Sequence, residues 1–132
     1  MLLFIIALAA LQPDTDTAPP APGEWAWLNI PDAEGPGARF SYETAVRREG
    51  ARLLVRLRYD EPDPRRPARP ASAVEAVIAL DCAARTGQLL ERGRPGATRR
   101  LSRPAAAVPI AAHGREWVLA YLLCPADGRP AG

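Results

Sequence analysis

Three stretches of the sequence place mainly apolar side chains at every second position, and this alternation of faces constrains the fold more than any other feature. Residues 38–47, 52–59 and 73–82 each follow it, and a period of two is the pattern of a strand with one face on a core. Glu49 and Gly50 separate the first two stretches and are short enough for a hairpin turn. We therefore expect these two strands to pair antiparallel, with the third in the same sheet.

The alternation also assigns the face of each strand that should lie on the core. The residues on that face are Phe40, Tyr42, Thr44, Val46, Leu53, Val55, Leu57, Tyr59, Val74, Ala76, Ile78, Leu80 and Cys82. Because Cys82 continues the apolar face of its strand, we expect its thiol to point into the core.

Two further strands and one ambiguous element complete the pattern. Residues 24–30 and 86–91 predict short strands, whereas the proline-rich residues 61–70 must form a loop because proline cannot donate to a sheet ladder. Residues 115–124 are apolar on all sides after the first two, so periodicity does not separate a buried strand from a buried helix.

Residue spacing slightly favours a helix for this last element. Trp117, Tyr121 and Cys124 lie at positions i, i+4 and i+7, which would form one stripe along a helix and pack on the sheet. Pro125 cannot extend a helix and suits an end there.

The first ten residues are predicted to be a signal peptide. They are uncharged, apolar and end in small residues, and they are about half the roughly 20 residues that a membrane-spanning helix needs. A buried N-terminal strand or helix is the alternative. Residues 11–23 are rich in proline and predict a disordered tether, and residues 127–132 predict a tail. No transmembrane segment is expected once the signal is removed.

Cys82 and Cys124 are the two cysteines of the chain. An even number in an exported protein indicates a disulfide, whereas two Cys and a single His cannot complete a structural zinc site. The bond would close a loop of about 42 residues, which stabilises a fold by roughly 4 kcal/mol. Two free buried thiols in a cytosolic protein are the alternative. The predicted fold class is therefore α+β: a small antiparallel sheet, a C-terminal helix packed on it, and one disulfide.

Length and charge limit the function classes. The chain has 132 residues, enough for one domain, and a formal charge of +2, which is too small to require nucleic acid or an anionic membrane as a partner. All 17 basic residues are arginine, which indicates a coding bias. The number of arginines therefore says little about function by itself.

The segment 92–103 is expected to be a second polar loop that interrupts the sheet, and it carries the strongest local charge. It contains no acidic residue and five arginines, Arg92, Arg94, Arg99, Arg100 and Arg103. Guanidinium groups donate paired hydrogen bonds to anionic groups, so one interpretation is a salt-sensitive contact with an acidic protein or a polyanionic glycan. A solvated loop in an arginine-rich chain is the other.

No residue pattern predicts catalysis, a metal site or a cofactor. The single imidazole, His113, falls in an expected turn, and nucleophilic catalysis needs a base held beside the nucleophile. Asp60 and Glu61 adjoin a loop without a frame to separate their pKa values. The spacing of Gly93 and Gly96 does not fit a phosphate-binding loop. We therefore expect a non-enzymatic protein.

The order of the features carries a family resemblance. An early Trp is followed by a hairpin and then by a strand that begins after a Ser and ends in the sequence hydrophobic-Asp-Cys. A short segment that starts with proline then leads into a terminal helix, and a final Cys follows. The matching positions are Trp25 or Trp27, Glu49-Gly50, Ser72, Leu80-Asp81-Cys82-Ala83, Pro109-Ile110-Ala111-Ala112 and Cys124. Over about residues 24–125 this layout resembles the surface-adhesin protein E-like family of Gram-negative envelope proteins, and we expect such a domain over residues 24–126.

The resemblance implies a sheet flanked by a C-terminal helix, a disulfide, and a role in binding host or envelope macromolecules. The expected function is an exported cell-envelope binding module, in the periplasm or on the surface of a Gram-negative bacterium. The alternative is a periplasmic structural or inhibitor-like domain. An exposed sheet edge beside the arginine segment would favour the binding module.

Overall fold

The computed structural model of the protein describes residues 23–35 and 37–126. The predicted signal peptide over residues 1–10, all of the predicted tether except its last residue, and the predicted tail over residues 127–132 lie outside the described residues. The described residues therefore cover the predicted domain over residues 24–126, apart from residue 36.

Eight antiparallel strands and one helix form an α+β fold, as expected from the sequence. In chain order they are β1 Trp25–Asn29, β2 Arg39–Glu43, β3 Arg47–Glu49, β4 Arg52–Glu61, β5 Ser72–Asp81, β6 Thr86–Arg94, β7 Ala97–Arg100, β8 Val108–Pro109 and α1 Arg115–Leu123. The main path through the sheet is β1-β2-β4-β5-β6-β7, while β3 pairs with β4 and β8 pairs with β6.

The centre of the sheet is the pairing of β4 with β5. All ten residues of each strand take part, from Arg52 opposite Asp81 to Glu61 opposite Ser72. Burial alternates along β4 as predicted, whereas β5 is buried on both faces from Val74 to Leu80. The register places the predicted core residues of the two strands on one shared face. Residues 62–71 connect them outside the ladder, and the prediction of a proline-rich loop is confirmed.

The predicted strand over residues 38–47 is divided in two. β2 ends at Glu43 and β3 begins at Arg47, and the pairing with β4 shifts by two residues between them. At the end of β2, the backbone N–H of Thr44 donates to the carbonyl of Glu24 at 2.9 Å, which extends the register of β2 with β1 by one residue. The expected hairpin at Glu49 is present, and Gly50 has the positive φ of 63° that its turn requires.

The prediction of a loop over residues 92–103 is wrong for most of its length. Residues 86–94 and 97–100 form the hairpin β6–β7, in which Arg94 lies opposite Ala97. Pro95 and Gly96 form the turn: proline fixes its own φ near −65°, and Gly96 has φ +79°, as a type II turn requires. A Cβ on Gly93 would lie 2.3 Å from the Ala97 carbonyl oxygen, so only glycine fits there.

The core lies between the sheet and α1. Its buried side chains are Phe40, Leu53, Val55, Leu57, Tyr59, Val74, Ala76, Ile78, Leu80, Cys82, Val118, Leu119, Ala120 and Cys124. The predicted core face is thereby confirmed for β4 and β5. We call this side of the sheet the covered face and the opposite side the open face.

The helix is confirmed, but the predicted packing stripe on it is wrong. Val118 and Leu119 face the core, whereas Tyr121 is 48% exposed and stacks on Trp117 with 5.7 Å between the ring centroids. Residues that are apolar on all sides leave the rotation of a helix undetermined. In addition, Cys124 follows the helix in an extended conformation, so helical spacing does not apply to it.

Cys82 and Cys124 form the predicted disulfide, with 5.6 Å between their Cα atoms. The bond joins the residue after β5 to the residue after α1 and so fixes one end of the helix to the sheet. Arg48 of β3 strengthens the same junction, because its guanidinium donates to the Leu123 carbonyl at 3.4 Å.

Replacing Cys82 and Cys124 together by alanine should lower the free energy of unfolding by roughly 4 kcal/mol, because the unfolded chain is then no longer closed into a loop. Urea unfolding measures the change, and the wild type in reductant should lose a similar amount. Alkylation without reductant, followed by mass spectrometry, should find no labelled cysteine; two labelled thiols would contradict the bond.

Candidate functional site

The open face of the sheet carries a buried carboxylate held by two arginines. Glu75 is 2% exposed, and its oxygens accept hydrogen bonds from Arg56 Nη1 at 2.8 Å and Arg58 Nε at 2.7 Å. The backbone N–H of Gly96 donates to the same carboxylate at 3.3 Å. The tip of the β6–β7 hairpin is therefore attached to the open face through Glu75.

Two opposing effects act on the pKa of Glu75. Burial raises it, but the hydrogen bonds from Arg58, Arg56 and the Gly96 backbone together outweigh burial, so the pKa lies below its ordinary value. The carboxylate is charged at neutral pH and acts as the centre of the open face. Sequence reasoning missed Glu75 because the alternation placed it on the face of its strand opposite the predicted core.

Tryptophan and arginine side chains stack beside this network. The Arg58 guanidinium lies 4.0 Å from the ring centroid of Trp25, and that of Arg39 lies 4.3 Å from the ring centroid of Trp27. Trp27 is 59% exposed. Together with Pro95 of the hairpin turn, these side chains border a shallow cavity of about 390 Å³. Tryptophan and arginine are the residues most enriched where proteins bind partners.

The structure separates Arg92 from the other four predicted site residues. Its guanidinium donates to Glu61 Oε1 at 2.7 Å and to the Tyr59 hydroxyl at 3.1 Å. The hydrogen bond from Arg92 to Glu61 is the main reason that its pKa is raised. Arg92 also lies opposite Arg99 in the ladder, and Glu61 offsets the repulsion between them.

Four arginines remain exposed and form no ion pair with the described residues. Arg94, Arg99 and Arg100 belong to the β6–β7 hairpin, and Arg103 follows it. The register places Arg94 and Arg99 on the side of the covered face and Arg100 on the side of the open face. We call these four residues the arginine edge, because β7 is the last strand of the sheet.

A larger cleft of about 500 Å³ lies on the covered face. It is lined by residues of β4, β5 and β6, by residues 105–111, which include β8, and by the first turn of α1. Gln88 Nε2 holds the start of residues 105–111 by donating to the Ala105 carbonyl at 2.9 Å. No periodic pattern in the sequence predicts this cleft, since it depends on where residues 105–111 lie against the sheet.

The next features are the lone histidine, a possible metal site and a possible membrane-spanning helix, for none of which the sequence predicts a function. His113 is exposed with φ +64°, and its ring lies 4.9 Å from that of Trp117. Within residues 23–35 and 37–126, no group of three or more His, Cys, Asp or Glu side chains could hold a metal ion. In the same residues, no helix has the length and apolar character needed to cross a membrane.

Comparisons with protein-family models, curated proteins and solved structures found no match to this chain. Support for a function therefore comes from the geometry of the protein's own surfaces.

Glu75→Gln should lower the free energy of unfolding at pH 7 by about 2 kcal/mol, because it removes the one carboxylate paired with Arg58 and leaves Arg56 only its longer contact with Glu43. The wild type should also lose stability as the pH falls from about 5 towards 2, since a depressed pKa stabilises the fold only while the carboxyl is ionised. Urea unfolding over this pH range measures both effects.

Glu49→Gln is the matched control, because Glu49 pairs with Arg47 at the surface. It should cost about 0.5 kcal/mol or less and retain the acid-dependent loss of stability. The role given to Glu75 is wrong if Glu75→Gln and Glu49→Gln have the same stability across this pH range.

Proposed function

We propose that the protein is an exported, non-enzymatic cell-envelope binding module, related in layout to the surface-adhesin protein E-like family. Its partner is an acidic protein or a polyanionic glycan. The observation that carries the proposal is the arginine edge, in which three exposed arginines on the last hairpin of the sheet and a fourth just after it have no ion pair among the described residues.

The chemistry of the arginine edge favours an anionic partner. Each guanidinium can donate two parallel hydrogen bonds to a carboxylate or sulfate. By contrast, Arg56, Arg58 and Arg92 already pair with carboxylates of this chain. Binding by the exposed groups should weaken as salt is added, since the Debye length is about 8 Å at physiological ionic strength.

The position of β7 supports a binding role over a purely structural one. Its backbone pairs with β6 on one side only, and a free strand edge can add a strand from a partner. Pro95 at the tip of the same hairpin borders the cavity of Trp25 and Trp27. A partner at the edge would therefore have an aromatic surface beside it.

The disulfide supports export, because such bonds persist in oxidising compartments. The proposed location is the periplasm or the cell surface of a Gram-negative bacterium. The competing proposal is a periplasmic structural or inhibitor-like domain, in which the arginine edge binds nothing.

Changing Arg94, Arg99 and Arg100 together to serine should move elution from a heparin column, and from a column of immobilised acidic protein, to lower salt. The change removes three unpaired charges from one hairpin and leaves the Arg92–Glu61 pair intact. Folding is checked by the urea midpoint, which should shift little because all three side chains are exposed.

The control is the triple change of Arg65, Arg66 and Arg69 to serine. These side chains are also exposed and their loss changes the net charge equally, but they lie in the loop between β4 and β5. This variant should elute closer to the wild type than the hairpin variant does. Equal shifts for both variants would mean that only net charge matters, and no shift for the hairpin variant would favour the structural domain.

Export predicts removal of about the first ten residues, since a short apolar run with a small-residue end is a cleavable signal. N-terminal sequencing of protein from the envelope fraction tests this. A chain that still begins at Met1 would contradict processing, and recovery from the cytosol alone would contradict export.

A further inference from the structure

The cleft on the covered face has an aliphatic lining and one aromatic residue. Its apolar walls include Leu57, Ile78 and Leu89 of the sheet and the aliphatic side chains of residues 105–111. Its volume of about 500 Å³ lies in the roughly 300–1,000 Å³ range of small-molecule sites. Among the described residues that line it, Tyr59 alone is aromatic, and its ring is covered by a guanidinium. The lining therefore favours an aliphatic chain over a stacked ring.

A single cation lies at the end of this cleft where α1 begins. The Arg115 guanidinium is 3.7 Å from the centroid of the Tyr59 ring, which fixes its position by a cation–π contact. Its Nε is buried and has no hydrogen-bond partner among the described residues, and the side chain forms no ion pair with them.

A guanidinium that is partly buried and has no counter-charge is costly. A carboxylate in the cleft would accept hydrogen bonds from the Nη groups of Arg115, since its Nε is shielded, and would supply that counter-charge. The start of α1 adds a weaker attraction for negative charge, because Gly114 at its N-terminus provides no side-chain cap.

We propose that this cleft binds an aliphatic monocarboxylate, a fatty acid of medium chain length. The hydrocarbon chain lies on the covered face of β4, β5 and β6 and against residues 105–111, and the carboxylate pairs with Arg115. This inference does not depend on the arginine edge, which uses other residues and an anionic macromolecule.

Glu116 also lines the cleft and is the group that opposes the proposal. Its side chain lies against Gly87, as a Cβ there would be 3.5 Å from Glu116 Cγ. Its negative charge should repel a bound carboxylate. Removing that charge should therefore strengthen binding of a fatty acid and leave binding of a neutral alcohol unchanged.

The experiment is calorimetric titration of the full chain with decanoate, 1-decanol and decylamine. Decanoate should bind best, because only it combines the apolar chain with a carboxylate. Arg115→Gln should weaken decanoate binding at least about tenfold and leave 1-decanol unchanged, while Glu116→Gln should strengthen decanoate binding. Arg66→Gln, an exposed charge in the loop between β4 and β5, is the matched control and should bind decanoate as the wild type does.

A second variant tests the hydrocarbon part of the site without touching a charge. Ala76→Leu adds volume to the floor of the cleft and should weaken decanoate and 1-decanol alike, with the melting temperature reporting that the protein is folded. The proposal is overturned if decanoate gives no saturable heat up to about 1 mM. It is equally overturned if decanoate and decylamine bind alike, or if Arg115→Gln and Arg66→Gln behave the same.

Discussion

The ten-residue pairing of β4 with β5 determines the position of nearly everything else in the molecule. Because side chains alternate along both strands, this one register places Leu57 and Ala76 on the covered face and Arg58 and Glu75 on the open face. A slip by one residue would exchange the two faces. The core, the buried ion pair and the floor of the cleft therefore depend on the same set of backbone hydrogen bonds.

Arginine serves different purposes in different parts of this sheet. Arg56 and Arg58 neutralise a carboxylate that the fold buries, and Arg92 pairs with Glu61 beside a second arginine. Arg115 instead lies on an aromatic ring at the end of an apolar cleft. Residue counts cannot separate these roles, since the partner of each guanidinium comes from a distant part of the chain.

Much of the fold follows from local sequence. The core faces of β4 and β5 were predictable because a strand has only two faces, and in β4 one of them is apolar from Leu53 to Tyr59 while the other carries three arginines and one leucine. The disulfide was predictable because Cys82 extends a core face and one other cysteine exists. The β6–β7 hairpin carried a turn signal in Pro95 and Gly96, which the density of arginine around it obscured.

The features of the candidate site were harder to predict from the sequence, because they depend on long-range packing. Glu75 looks like a solvated strand residue until the hairpin tip is placed over it. The rotation of α1 could not be derived, since Val118, Leu119 and Tyr121 are all apolar and only contact with the sheet distinguishes them. The cleft likewise depends on where residues 105–111 lie, which the pairing of β8 with β6 and the hydrogen bond from Gln88 to Ala105 determine.

The shortness and charge of β7 also affect how copies of the protein behave towards one another. A free strand edge can template aggregation, because its unpaired backbone groups can join the edge of a second molecule. β7 has four residues, two of them arginine, so an antiparallel match between two copies would bring like charges together on adjacent strands. The strand that leaves the sheet open to a partner of opposite charge therefore also opposes its stacking into fibres.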